Sequence, residues 1–437
     1  MNLPQILSLI LLVVILVLAV WRHVNIGLLG FSAAAIMVMA TTAIAEGSDT
    51  NTVLSSKDVL SHFPGAIVTL LIGVSLLFAH LEKSGGLSWF TDQIYAKMGH
   101  RTNIVPWIGY FIGFAISTAG AFSTASITLL VPVIAALGRK HPRLFFICEM
   151  AAIIGANTGA LSPINPTGQV ILDAAKKAHV EYSPWLVWFL GMLISFVLVI
   201  ALQIVFQDKR VVETSDSKAP EKGFVLLKPI KQENGDNHQL QPFYAICSTI
   251  AVLIFLILVI FAKANVGLTA LTLAVIMMLF FTQQSKDFVK KIPWNAVVVI
   301  SGLLVFIGTM MQVDTMKAVE QGLLSMTSSK IALLFMLAYL TTFLSNVESS
   351  TLGVISLMIP MVFTIFGDSP QISLILTACA APAMLSVVNP IHIAGTLVVS
   401  VTEEKQQEMM FKRLLIIAFA TVPFFPGLAM IVPALMI

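Results

Sequence analysis

Charge is what this sequence has least of. Only 11% of its 437 residues are Asp, Glu, Lys or Arg, while 57% are hydrophobic. A soluble globular protein carries about 25% charged residues. So few charges cannot cover a chain of this length with polar surface, so its solvent is expected to be largely lipid. Basic excess is slight as well. The formal net charge is +3, and no basic cluster with interleaved aromatics suggests a nucleic-acid partner. Cysteine is scarce: Cys148, Cys247 and Cys379 each stand alone in an apolar stretch, without metal-ligand spacing, and are read as membrane thiols outside any disulfide. No G-x-x-x-x-G-K-[ST] sequence occurs, so no ATP site of that kind is carried. H-E-x-x-H and G-x-S-x-G are missing too, which argues against an intramembrane hydrolase, and no enzyme activity is expected.

What is present is a series of long apolar runs, and roughly 20 apolar residues cross a bilayer as a helix. Plain spans are predicted at 4–21, 24–45, 64–82, 185–206, 242–263, 265–282, 293–312 and 412–435. The first run lacks a basic leader, and its first cation, Arg22, follows the apolar stretch, so it reads as an uncleaved span. Three regions are apolar but interrupted: 102–140, 143–178 and 329–403. The one long polar stretch, within 207–241, has balanced charges and no apolar periodicity, and reads as a linker between halves. The expectation is an all-α polytopic membrane protein of about ten full spans plus two re-entrant hairpins.

Cation placement orients the chain. With the N-terminus outside and with 102–140 and 330–367 as re-entrant hairpins, 19 of the 25 Lys and Arg fall on one side. Cytoplasmic loops are rich in Lys and Arg. The central linker is therefore expected in the cytoplasm, and the membrane is expected to be a bacterial inner membrane. Full crossing by either hairpin would weaken this bias.

The two halves align with each other. Residues 63–78 match 292–307, pairing Pro64 with Pro293 and Gly73 with Gly302 at a spacing of 229. Residues 114–134 match 342–362, pairing Ser117 with Ser345 and Pro132 with Pro360 at 228. Residues 159–171 match 383–395, pairing Asn165-Pro166 with Asn389-Pro390 at 224. Chance likeness between apolar segments would match Leu and Val and would not preserve Gly, Pro, Ser and Asn. The repeats are expected over 1–206 and 242–437, and five crossings per half invert the second relative to the first. Inverted repeats with discontinuous helices point to secondary transporters, with the site at the repeat interface. Residues 84–99 and 314–328, at matching places, read as interfacial amphipathic connectors.

Three elements carry the chemistry. The hairpin tips run Ser117 to Thr124 and Ser345 to Thr351. Irregular backbone at membrane depth must line protein or water. The helix after each tip aims free N–H groups and partial positive charge at the site, which suits an anion. Hydroxyls and carbonyls at the same turn suit a hard cation such as sodium. The second element is the Asn-Pro break, around Asn165 and Asn389, where proline removes a donor and pushes the preceding residue out of helical geometry. Each Asn could offer oxygen to a cation and N–H to a carboxylate. The third is intramembrane charge: Glu348 in the second tip, opposite Gly120, and His392 after the second break, opposite Gly168. Glu149 and Asp173 are expected nearer the surfaces. Substrate contacts are assigned to Ser123, Thr124, Asn165, Thr167, Ser350, Thr351, Asn389 and His392. A cation, with sodium the candidate at the tips, is assigned to Ser117, Asn165, Gly168, Ser345, Asn346, Glu348 and Asn389. No Lys or Arg is expected in the core, so an anion would be held by helix ends, amides and hydroxyls.

This order of hairpin, helix and broken helix resembles the ion-transporter superfamily, which includes the divalent anion/sodium symporters, over nearly the whole chain. The Ser162-Pro163-Ile164-Asn165-Pro166-Thr167-Gly168 segment and the N-terminal stretch look most like the malonate/dicarboxylate carrier group. Symporters of the superfamily carry Ser-Asn-Thr at both tips. Here the matching places read Phe122-Ser123-Thr124 and Ser350-Thr351-Leu352, with Ser345-Asn346 upstream, so neither triad is complete. The resemblance implies a homodimer and an elevator. Spans 4–62 and 242–282 would be scaffold, while 102–178 and 329–403 would move. It implies symport of a small di- or tricarboxylate, driven by sodium or protons. Competing readings are transport of another small anion, cation/proton antiport, and an aquaporin-like channel built on paired Asn-Pro half-helices.

Overall fold

The computed structural model describes residues 2–22, 24–47, 53–86, 104–140, 142–206, 241–327, 329–347, 351–385, 388–390, 392–402 and 404–436. Every element there is a helix. The first half runs α1 (Leu3–Arg22), α2 (Ile26–Gly47), α3 (Ser56–Ser61), α4 (Gly65–Lys83), α5 (Val105–Thr118), α6 (Ser123–Lys140), α7 (Pro142–Gly159), α8 (Pro166–Ala178) and α9 (Pro184–Phe206). The second runs α10 (Pro242–Ile260), α11 (Val266–Phe280), α12 (Phe288–Lys291), α13 (Trp294–Gln312), α14 (Thr315–Met326), α15 (Lys330–Val347), α16 (Thr351–Phe366), α17 (Ile372–Leu385), α18 (Ile393–Val401) and α19 (Glu404–Met436). Element for element the halves repeat, α1 with α10 through α9 with α19. The partner of α14 would fall in 87–103, outside the described residues, as does the linker expected over 207–240.

Six described helical segments are long and apolar enough to cross a membrane alone. The remaining apolar helices are shorter, and most belong to the interrupted regions. Pairs of such short helices, α5–α6, α7–α8, α15–α16 and α17–α18, make the expected hairpins and broken spans. The last helix starts at Glu404 rather than 412. Its first turns are polar, and Lys412 pairs with Glu408 one turn back at 2.6 Å, the spacing that supports a helix without apolar burial. Leu and Ile side chains on α9, α10 and α19 stand far out of the fold: Ile204 is 69% and Leu435 83% exposed. On a water-soluble protein such a belt would be an interaction surface; here it is the lipid face. All three cysteines are free thiols.

Contacts between the halves are reciprocal. Helix α4 packs on α11 and α13 packs on α2, while α8 packs on α16 and α18 on α6. Reciprocity of this kind is what a two-fold operation generates, so the two halves are related by an approximate two-fold. Glycines permit the closest crossings. A Cβ on Gly302 would strike the backbone of Gly27, and a Cβ on Gly73 would meet that of Gly267 at 2.6 Å. These four positions form a second matched set. Asn25-Ile26-Gly27-Leu28 and Asn265-Val266-Gly267-Leu268 lie 240 residues apart. In each, the Asn side chain accepts the backbone N–H of the Leu, at 3.2 and 3.0 Å, and starts the helix. The sequence analysis missed this pair.

Candidate functional site

Each hairpin tip is stitched to the break of its own half. The last carbonyls of an α-helix have no intrahelical partner, and lipid offers none. At the end of α5 the carbonyl of Ser117 accepts Asn165 Nδ2 at 2.8 Å, and that of Thr118 accepts Ser162 Oγ at 3.0 Å. At the end of α15 the carbonyl of Ser345 accepts His392 Nε2 at 2.7 Å, and that of Asn346 accepts Asn389 Nδ2 at 2.6 Å. Polar residues of the breaks thus cap the C-termini of the hairpin helices.

This bonding corrects the pairing of the breaks. Asn165 plays the part of His392, and Ser162 that of Asn389, at a spacing of 227. The backbone agrees. Asn165 N bonds Ser162 O, and His392 N bonds Asn389 O, both at 3.0 Å. Asn165 and His392 are the extended residues that precede α8 and α18, with ψ 149° and 156°. Pro163-Ile164 aligns with Pro390-Ile391, and Gly168 with Gly395; a Cβ on either glycine would strike the carbonyl six residues back. The sequence pairing at 224 followed the Asn-Pro dipeptide, and the structure follows Pro-Ile and Gly.

The assigned residues divide accordingly. Asn165 is fully buried; its amide donates to Ser117 O and Ala121 O, and its oxygen accepts Thr167 N at 3.0 Å. Both donors of the amide are used, so Asn165 has no N–H left for a carboxylate. These bonds tie the first break to the hairpin tip. Thr167 and Gly168 lie buried behind it at the start of α8. Ser117 Oγ donates to Ser126 Oγ at 3.1 Å, inside the hairpin. The tip itself turns at Gly120, whose φ of +115° is one that side chains rarely adopt. In the second half Ser345 Oγ donates to Ala383 O at 2.8 Å and lies 3.2 Å from Thr351 Oγ1. His392 faces a carbonyl, so its Nε2 carries the hydrogen. Glu348 and Ser350 lie outside the described residues. Glu149 is fully buried on α7, and neither carboxylate oxygen has a hydrogen-bond partner. Asp173 is partly exposed and pairs with Lys177 at 3.0 Å.

Among the described tip residues one buried side-chain oxygen is unsatisfied. Asn346 is fully buried, and its Oδ1 has no partner. A buried acceptor left alone costs roughly 1–3 kcal/mol, and an oxygen of this kind is what a hard cation takes as ligand.

A cavity of about 330 Å³ opens beside the first tip. One wall is α4, through Ser75, Phe78, Ala79 and Glu82; the other is the start of α6, with Phe122, Thr124, Ser126 and Thr128. Ligand pockets start at about 300 Å³, so the space suits a small molecule. The wall at the N-terminus of α6 carries the Thr124 hydroxyl and the first-turn N–H groups that an α-helix leaves without intrahelical partners, while Ser126 and Thr128 donate their hydroxyls to the carbonyls of Phe122 and Thr124. Of the assigned substrate residues in the first half, Thr124 reaches the cavity lining. Ser75, Ser126 and Thr128 were missed, although Thr124 and Thr128 share a helix face four residues apart. Lys291 also lines the cavity and pairs with Glu82 at 3.2 Å, so a cation does approach the site. Both side chains are about one-third exposed (35% and 30%), and a pair so exposed contributes only ~0–1 kcal/mol. The matching place in the second half is filled: α13 packs on α16, and no comparable packing joins α4 to α6.

Comparison with known proteins follows from this geometry. The family model CitMHS, Citrate transporter, matches residues 14–365. Among solved structures, one similar chain is described as the Alcanivorax borkumensis YdaH transporter, whose crystal structure reveals an unusual topology. The two share 12% identity and a TM-score of 0.54, with 98% of this chain and 97% of that chain covered. At that identity the likeness speaks for the fold. No curated protein sequence matches the chain.

Proposed function

The chain belongs to the citrate transporter family and is a multi-pass membrane transporter, and from that premise we propose that it carries a small di- or tricarboxylate, citrate first among them, by cation-coupled symport. The observation that carries this reading is the cavity at the N-terminus of α6, lined by Thr124, Ser126 and Thr128. Helix-end N–H groups and hydroxyls bind carboxylates without a guanidinium clamp. Coupling is assigned to the second tip, where Asn346 Oδ1 is an orphaned buried acceptor. Asn346, Ser345 and the residues that follow them in the tip, Glu348 included, would hold sodium. Its positive charge would offset the negative charge of the substrate. In the first tip Asn165 Oδ1 already accepts a backbone N–H, so its residues fit a cation less well.

The same reading makes the hairpins and broken helices a moving unit, as an elevator in a homodimer; because α4 packs on α11 and α13 on α2, we extend the expected scaffold of 4–62 and 242–282 to α1–α4 and α10–α13. The Lys/Arg bias supports a cytoplasmic linker and a cytoplasmic mouth for the cavity beside Glu82 and Lys291. The test is a thermal-shift screen of purified protein against carboxylates, with and without sodium. A ligand that binds only the folded form raises stability by about 2.7 kcal/mol at a hundred times its Kd. Citrate or a close homologue should raise Tm, and more so in sodium. No shift with any di- or tricarboxylate contradicts the reading.

A further inference from the structure

The cavity beside the first tip has a charged rim that the helix-end chemistry does not account for. Among its lining residues Glu82 and Lys291 are the two that carry formal charge. They come from different halves of the chain, Glu82 from the last turn of α4 and Lys291 from the end of α12. They meet at 3.2 Å while each keeps about a third of its side chain in solvent. The two-fold mate of this contact has no matching charges. At Pro64 and Pro293 the halves correspond with a spacing of 229, so Lys291 corresponds to His62. At the same spacing Glu82 corresponds to Met311, and His62 Nε2 instead meets Oε1 of the next residue, Gln312, at 3.3 Å. Of these two contacts between the halves, the one that opens on the cavity is an ion pair.

We propose that Lys291 is the anion-recruiting residue of the transport cavity, and that Glu82 is a resident carboxylate which the substrate carboxylate displaces. The proposal rests on the carboxylate reading above. A half-solvated pair is weak enough to exchange partners. A Lys ammonium is a compact point charge on a flexible stem with three donors, so it can follow a carboxylate as it moves. A cleft lined by one available cation with apolar walls, here Val74, Phe78, Ile116 and Phe122, focuses the field inward. Glu82 keeps the empty cavity electrically neutral, so the scaffold holds no uncompensated charge between cycles. The pair also selects: with Glu82 still nearby, a di- or trianion competes for Lys291 better than a monoanion does.

The test is citrate uptake by proteoliposomes containing wild type, Lys291→Gln, Lys291→Arg, Glu82→Gln and the double variant, at several ionic strengths. Lys291→Gln should raise KM for citrate about 5- to 10-fold, with a smaller change in Vmax and a flatter dependence of KM on salt. Lys291→Arg should recover most of the lost affinity. Glu82→Gln should lower KM about 2- to 5-fold and narrow the preference for citrate over a monocarboxylate. Citrate transport by wild type together with an unchanged KM and salt dependence in Lys291→Gln overturns this assignment alone. Failure of wild type to transport any carboxylate overturns the functional reading, and this assignment with it.

Discussion

Asn165 and His392 do the same work with different side chains. Each reaches from a broken helix to the terminal carbonyl of its hairpin, Ser117 or Ser345. Removing Asn165 leaves the carbonyls of Ser117 and Ala121 buried without those donors, at roughly 1–3 kcal/mol for each unsatisfied group. Asn165→Ala should therefore lower Tm by several degrees and abolish transport while the protein still inserts. Differential scanning fluorimetry on purified protein and an uptake assay check both. For His392 the hydrogen bond, and not titration, is the expected requirement. His392→Asn, which keeps an N–H donor, should retain more transport than His392→Ala, and equal loss in the two variants would refute the capping role. Ser, Asn and Pro in an apolar chain marked these positions in the sequence, because lipid tolerates such residues only where they are satisfied. What each side chain bonds could not be read there. The Asn-Pro dipeptide drew the alignment to a spacing of 224, whereas the backbone repeats at 227.

At the scale of helices, the scaffold depends on two glycine crossings, α2 with α13 and α4 with α11. Gly27→Ala would drive a Cβ into the carbonyl of Val298, a backbone atom that cannot rotate away. Overpacking of this kind costs roughly 1–3 kcal/mol. Gly65, at the start of α4, has nothing within 4 Å of its Cβ position, so Gly65→Ala should be neutral or slightly stabilising. Thermal melts of the two variants should separate them by several degrees in that order; equal melting temperatures would show that the crossings are looser than described. The hairpins and breaks were legible because Gly, Pro, Ser and Asn interrupt apolar runs at nearly constant spacing. The glycine crossings were not, because helices such as α11 are apolar all round, and periodicity on such a helix does not tell which face meets which partner. Asn25-Ile26-Gly27 and Asn265-Val266-Gly267 were there to be matched, but a three-residue motif at a spacing of 240 stands outside the register of the other blocks.

Across the described residues the two halves differ beside their tips. Beside the second tip α13 packs on α16, while beside the first tip a cavity of about 330 Å³ separates α4 from α6. Alternating access in inverted-repeat transporters works by exchange of this kind of asymmetry between the halves around a central site. Charge follows the same division, with Glu82 and Lys291 at the open end and His62 and Gln312 at the other. The architecture was readable from the interrupted apolar runs and the Lys/Arg bias. Which half stands open was not, since it depends on how closely two apolar helices of the same half pack, α4 on α6 or α13 on α16. The most direct test of the account is concentrative uptake of labelled citrate into proteoliposomes under an inward sodium or proton gradient. Accumulation above the external concentration, lost when that gradient is dissipated, is the predicted result. Uptake that stops at equilibrium under both gradients would contradict it.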